Sequence, residues 1–193
     1  MERINSQNLI ERTIERLSPP AQSVLVVTSE EQFDIIHAAG LKAKVIVDLY
    51  PGKGALGGIY TGLASADTFY NLVVGCDMPF LNRELLRYII DHISNFDTVV
   101  PKVHGMLEPL HAVYSKDCLA PIRKMIEENR LGISHLFSMV DTRYIDEDEV
   151  EEFDFRYLSF LNINTLADLR KARKLIQREE HCLTAAKDNS SRD

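Results

Sequence analysis

"AKVIVDLYPGKGALGGIYTGLASA", residues 43–66, is the stretch on which the fold turns. It opens with a β-branched apolar run, 43–49, that reads as a buried strand. A glycine-rich loop follows, and then a short helix near 57–66. Five of the nine glycines of the chain, Gly52, Gly54, Gly57, Gly58 and Gly62, fall here. A backbone so poor in side chains either comes against a phosphate or other ligand, or has only to turn sharply and let a helix approach a strand.

Working outward, the same alternation recurs. "SVLVVTS" (23–29) and "NLVVGCD" (71–77) are short apolar runs bounded by polar residues, as buried strands are. Between and around them lie amphipathic segments. Leu9, Ile10, Thr13, Ile14 and Leu17 recur at helical spacing, "SEEQ" from Ser29 has capping-box spacing for a helix running to Gly40, and "NRELLRYIIDHI" (82–93) has one apolar face. Buried strands alternating with such helices predict an α/β fold around a central, mainly parallel sheet. The second half is less regular. "FDTVVPKV" (96–103), "LHAVYS" (110–115) and "LSFLNIN" (158–164) read as strands, 116–129 as a helix, and "TLAD" as the cap of a helix through Ile176. Residues 1–180 are expected to form a single domain and 181–193 a disordered tail.

Bulk properties narrow the function. The 193 residues are 45% hydrophobic and 26% charged, with a net charge of −7. That balance argues against a chain that grips nucleic-acid phosphates, while leaving room for a small nucleotide. Cys76, Cys118 and Cys182 are widely spaced and form no CxxC pair, so neither a disulfide framework nor a zinc site is indicated. No apolar run reaches the roughly 18–20 residues of a membrane span. The amino terminus is amphipathic rather than signal-like, and a cytoplasmic location is expected.

Several features have the makings of a site. Gly52, Gly54 and Gly57 spell GxGxxG between a strand and a helix, the form of a dinucleotide fingerprint, but no Walker A lysine follows. Asp48 and Asp77 each close an apolar strand, and in an open α/β sheet ligands bind beyond the carboxyl ends of the strands. Two carboxylates there hold Mg²⁺ or accept hydrogen bonds from a base or sugar; alternatively each caps its own turn. Pro79 fixes the exit of the chain just past Asp77. Asn162 and Asn164 lie two apart on an expected strand, so both amides face one side, toward a ligand or a capped helix. His111 is the histidine to watch, and the acidic run 146–152 reads as a solvated face.

Taken together, "VIVD", "GALGGIYTGLASA", "VVGCDMPFL", "EPLHAVY" and "FLNINTLADLRKA" resemble the molybdenum cofactor guanylyltransferase (MobA-like) family of the nucleotidyltransferase-A superfamily. The pieces come in the family's order over residues 8–176. The resemblance implies a Rossmann-like three-layer sandwich of the nucleotide-diphospho-sugar transferase type. It implies transfer of GMP from GTP to the molybdopterin phosphate, with Mg²⁺, giving the guanine dinucleotide cofactor and pyrophosphate. By position, Asp77 is similar to the metal-binding aspartate, and Asp48 to an acid of the nucleotide pocket. Gly54 and Gly57 fall in the loop that lies against the nucleotide, and Asn162 and Asn164 match the pair assigned to the pterin side.

Ala55 stands where the family usually has proline, and Thr28 where some members have an asparagine that contacts the nucleotide. The family's opening strand and its loop "LAGGxSxRMGxDK", with the cationic phosphate site, have no counterpart in these residues, so no catalytic cation is assigned. Weak transfer activity and self-association through an uncovered sheet edge are therefore expected. A related cytidylyltransferase, or a non-catalytic nucleotide- or pterin-binding protein, are the other readings.

Overall fold

The computed structural model describes residues 3–4, 7–18 and 20–176. A two-residue hairpin, β1 (Arg3–Ile4) and β2 (Gln7–Asn8), leads into α1 (Leu9–Leu17). The Glu11 carboxylate accepts from the Asn8 N–H at 3.0 Å, closing the first turn of α1. Thr13, Ile14 and Leu17 form its buried side, as their spacing predicts. Strand β3 (Leu25–Thr28), helix α2 (Glu30–His37) and strand β4 (Lys44–Val47) follow, with β3 and β4 parallel and paired Leu25 to Lys44 through Thr28 to Val47. Next come α3 (Gly54–Ser65), β5 (Tyr70–Val74) and α4 (Arg83–Asp91). The Asn82 side chain caps α4 by accepting from the N–H groups of Glu84 and Leu85.

Beyond α4 the chain departs from simple alternation. Strands β6 (Thr98–Val103) and β7 (Met106–Leu107) form a hairpin, and β8 (His111–Ser115) returns antiparallel to β6 and to β5. Helix α5 (Leu119–Glu127), strand β9 (Thr142–Ile145), helix α6 (Glu147–Asp154) and helix α7 (166–176) complete the order. The larger sheet runs β5–β8–β6–β7, with β9 parallel to β6.

The expectation of a mainly parallel sheet is thus corrected. Parallel pairing holds for β3–β4 and β6–β9, whereas β5–β8, β6–β8 and β6–β7 are antiparallel. The reason is local. His104 and Gly105 both take positive φ (51° and 77°), the form of a two-residue primed turn, which folds β6 straight back on itself. A parallel return would need a crossover of roughly a dozen residues, and the segment between β6 and β8 is shorter. The expected strand at 158–164 is corrected as well. Tyr157 adopts a left-handed conformation (φ 52°), Leu158–Phe160 form a 3-10 turn, Leu161 is extended, and 161–164 pair with no strand among the described residues.

Two apolar layers flank the large sheet. On one side Leu56, Ile59 and Leu63 of α3 and Ile122, Met125 and Ile126 of α5 pack with Val100, Ala112 and Tyr114. On the other, Leu85 and Ile89 of α4 and Val150 of α6 pack with Val99, Val113 and Ile145. Strand β8 is buried along its whole length, with alternate residues feeding the two layers. Strand β3 pairs with β4 and β5 with β8, but β3 and β5 are not hydrogen-bonded to each other, so each keeps one unpaired edge among the described strands. Residues 181–193, expected to be a tail, lie outside the described residues.

Candidate active site

Asp48 follows the last residue of β4 and continues the ladder, its N–H donating to the Thr28 carbonyl at 2.8 Å. Its Oδ1 accepts from the Tyr50 N–H at 3.0 Å and from the Thr61 hydroxyl of α3 at 2.7 Å. Thr61 in turn accepts from the Leu49 N–H at 3.0 Å. Half of the Asp48 carboxylate is therefore committed to closing its own turn and fastening β4 to α3. This is the capping alternative left open by the sequence.

The glycines of the loop do separate jobs. Gly52 (φ +79°) and Gly54 (φ +59°) occupy the left-handed region, with open space where a side chain would stand. At Gly57 the constraint is contact. A Cβ there would lie 2.8 Å from the Tyr50 carbonyl oxygen and 3.2 Å from Asp48 Oδ2. Lys53, just before α3, donates to Asn129 Oδ1 at 3.0 Å.

Asp77 stands on the loop after β5. The Gly75 N–H donates to the Leu110 carbonyl at 3.0 Å, ending the β5–β8 pairing, and Asp77 Oδ1 then folds back over Gly75. A Cβ on Gly75 would lie 2.6 Å from that oxygen, so the carboxylate takes its position because residue 75 has no side chain. Asp77 is half-buried, and no hydrogen bond to its carboxylate is present among the described residues. Its carbonyl accepts from the Ile163 N–H at 3.0 Å. Ile163 is buried beside Phe80, while Asn162 and Asn164 on either side of it are exposed. The asparagine pair thus faces outward beside the Asp77 loop, held there by a buried isoleucine instead of a strand ladder.

Asp77 and the Asn162–Asn164 segment are brought together; Asp48 and the glycine loop belong to the end of the other sheet. Among the described residues no group of three or more His, Cys, Asp or Glu side chains is placed to cage a metal. A single unpartnered carboxylate nevertheless suits Mg²⁺, which is commonly held by one or two carboxylates together with substrate phosphates.

His111, at the start of β8, is fully buried and its ring packs on Phe160 with centroids 4.6 Å apart. Neither ring nitrogen has a hydrogen-bond partner among the described residues. Burial lowers its pKa to about 4, with the nearby Asp154 carboxylate opposing that shift. It is a neutral core residue packed on Phe160. Sequence reasoning missed Thr61 and Gly75. The signal for Gly75 is the glycine two residues before Asp77 in "VVGCD", and for Thr61 its place one helical turn beyond Gly57.

A sheet covered by helices on both faces, with an acid fixed just past a strand end and a glycine loop entering a helix, is an arrangement shared with nucleotidyltransferases of solved structure. The 2-C-methyl-D-erythritol 4-phosphate cytidylyltransferase of Thermus thermophilus superposes with a TM-score of 0.65 over 91% of this chain and 92% of that one; at 14% identity the likeness is one of fold alone. Within that class the chain belongs to the MobA-like NTP transferase domain family, whose model matches residues 1–145. It is 34% identical over 168 residues to the molybdenum cofactor guanylyltransferase of Desulfosudis oleivorans, covering 85% of this chain and 82% of that protein. The crystal structure of molybdopterin-guanine dinucleotide biosynthesis protein A from Archaeoglobus fulgidus aligns with a TM-score of 0.79 and 27% identity, covering 92% of this chain and 89% of that one. Among the described residues no helix is long and apolar enough to cross a membrane.

Proposed function

We propose that the protein is a molybdenum cofactor guanylyltransferase, moving GMP from GTP to the terminal phosphate of molybdopterin with release of pyrophosphate. The observation that carries this reading is the Asp77 carboxylate, fixed over Gly75, free of protein partners among the described residues, and adjoining the exposed Asn162 and Asn164. The similarity to the Desulfosudis and Archaeoglobus proteins supports the choice of substrates.

In this reading charge on the phosphate oxygens is offset by Mg²⁺ when it is bound, with Asp77 as its protein ligand. The remaining work is positioning. Asp48, anchored by Thr61 and the Tyr50 N–H, keeps Oδ2 for the nucleotide, where Gly54 leaves open space beside the loop and Gly57 lets the loop pack closely on Asp48. Asn162 and Asn164 offer amide donors and acceptors to the pterin substrate on the other side of Asp77.

Incubation of the purified chain with GTP, Mg²⁺ and molybdopterin, followed by pyrophosphate release, tests the reading. Release that requires both GTP and molybdopterin is expected, and Asp77→Asn should slow it at least about 100-fold, or about 2.7 kcal/mol of transition-state stabilisation. Release with CTP in place of GTP would reassign the nucleotide. GTP binding without release would make this a binding protein.

A further inference from the structure

Each carbonyl of the loop bearing Asp77, from Cys76 to Pro79, has a donor of a neighbouring element within reach. The Asp77 carbonyl accepts from the Ile163 N–H at 3.0 Å. The other three are approached from the opposite side by two consecutive residues of α1. Thr13 Oγ1 lies 3.3 Å from the Cys76 carbonyl oxygen and 3.3 Å from that of Met78, and Arg12 Nε donates to the Pro79 carbonyl at 3.2 Å. The same hydroxyl is 3.1 Å from the Leu9 carbonyl of its own helix. Thr13 is 3% exposed, so water does not substitute for it. Leu17 of α1 packs with Met78 and Leu81 below, and Leu9 packs with Phe80 and Ile163 above.

We propose that Thr13, assisted by Arg12, is a positioning residue for Asp77: its hydroxyl, set between the Cys76 and Met78 carbonyls, fixes the backbone on either side of the aspartate and so the aim of its carboxylate. This rests on the reading of Asp77 as the ligand of a substrate-borne Mg²⁺. A threonine one turn into an amphipathic helix has no need of a hydroxyl for packing, since valine fills the same space. What valine lacks is a hydroxyl within reach of the carbonyls on both sides of Asp77, whose one proton goes to one acceptor at a time, the Leu9 carbonyl being the third. Without it the buried Met78 carbonyl loses the donor that approaches it from α1, and the loop is freer to shift. A metal site tolerates little displacement, and loss of a group that orients a ligand typically costs about 10–100-fold in metal affinity.

The test is Mn²⁺ binding in the presence of GTP, read by the loss of free-Mn²⁺ electron paramagnetic resonance signal beyond that caused by the same GTP without protein, in the wild type and in Asp77→Asn, Thr13→Val and Thr13→Ser. The expected result is loss of binding in Asp77→Asn, a rise in the Mn²⁺ dissociation constant of about tenfold or more in Thr13→Val, and wild-type affinity restored by Thr13→Ser. A purely structural threonine would lower the melting temperature of Thr13→Val and leave the affinity of the folded protein unchanged. That outcome, with Asp77→Asn still defective, overturns the positioning role and leaves the metal reading standing. No Mn²⁺ bound by the wild type, or undiminished binding in Asp77→Asn, overturns both. If Thr13→Val does not fold, Arg12→Gln probes the same loop from a partly exposed position, where a weakened Mn²⁺ affinity supports the proposal and an unchanged one overturns it.

Discussion

The Thr61 hydroxyl donates to Asp48 Oδ1 at 2.7 Å, tying the end of β4 to the middle of α3. Since Thr61 also accepts from the Leu49 N–H, one buried oxygen joins a carboxylate and a turn amide. Thr61→Val keeps the shape and removes both bonds. It should cost about 1–3 kcal/mol in urea unfolding, because it leaves a polar group unsatisfied beside an apolar one. Asp48→Asn should cost less than Asp48→Ala, since the amide oxygen still accepts from Tyr50 and Thr61. An Asp48→Asn protein of near-normal stability with weakened GTP binding would separate the nucleotide role of Asp48 from its structural one.

Adjacent glycines of α3 are expected to respond oppositely to alanine. At Gly57 the new methyl would stand 2.8 Å from the Tyr50 carbonyl oxygen, a backbone atom that yields only if the whole loop shifts. Gly57→Ala should lose about 1–3 kcal/mol. At Gly58 nothing lies within 4 Å, and the helix gains from a residue with less freedom in the unfolded chain. Gly58→Ala should be stabilising by about 0.5–1 kcal/mol. Thermal or urea unfolding of the pair checks both signs, and equal losses would refute the contact argument.

The first half of the chain was legible because its cues are local. Leu25–Thr28, Lys44–Val47 and Tyr70–Val74 are β-branched runs, and helices with one-sided apolar spacing separate them. The antiparallel turn-back of β6 was not, because it rests on His104 in a positive-φ conformation that few histidines adopt. At 158–164 the alternation of apolar and polar residues is real, with Ile163 buried between exposed Asn162 and Asn164, but among the described residues no strand pairs with it. Asp154 captures the N–H groups of Leu158 and Ser159 at 3.1 and 2.7 Å and winds the segment's start into a turn. The roles of Thr13 and Thr61 depend on partners distant in the chain, which residue type and spacing do not reveal.

Among the described strands, β3 and β5 each present an unpaired edge, and Leu72, Val73 and Val74 are only partly buried. Exposed β-branched edges template further pairing. The 193-residue chain is therefore expected to self-associate, with an apparent mass that rises with concentration in size-exclusion chromatography with light scattering. A stable monomer across the micromolar range would refute this.

His111 supplies the last prediction, a pH dependence with a definite sign. In the folded protein burial lowers its pKa to about 4, whereas in the unfolded chain it returns to the ordinary histidine value near 6.5. Between those values the unfolded state binds the extra proton, so acid favours unfolding. The stability associated with a neutral His111 is fully present above about pH 6.5 and is lost progressively as the pH falls toward 4, at up to about 1.4 kcal/mol per unit. Carboxylates titrate at the lower end of the same window, so the comparison is made against His111→Leu, which retains an apolar contact for Phe160 and cannot take up the proton. Urea midpoints for the wild type should fall from pH 7 to pH 5 more steeply than those of His111→Leu. Parallel slopes for the two proteins would show that the ring does not titrate differently in the two states and would refute the assignment of a buried, neutral His111.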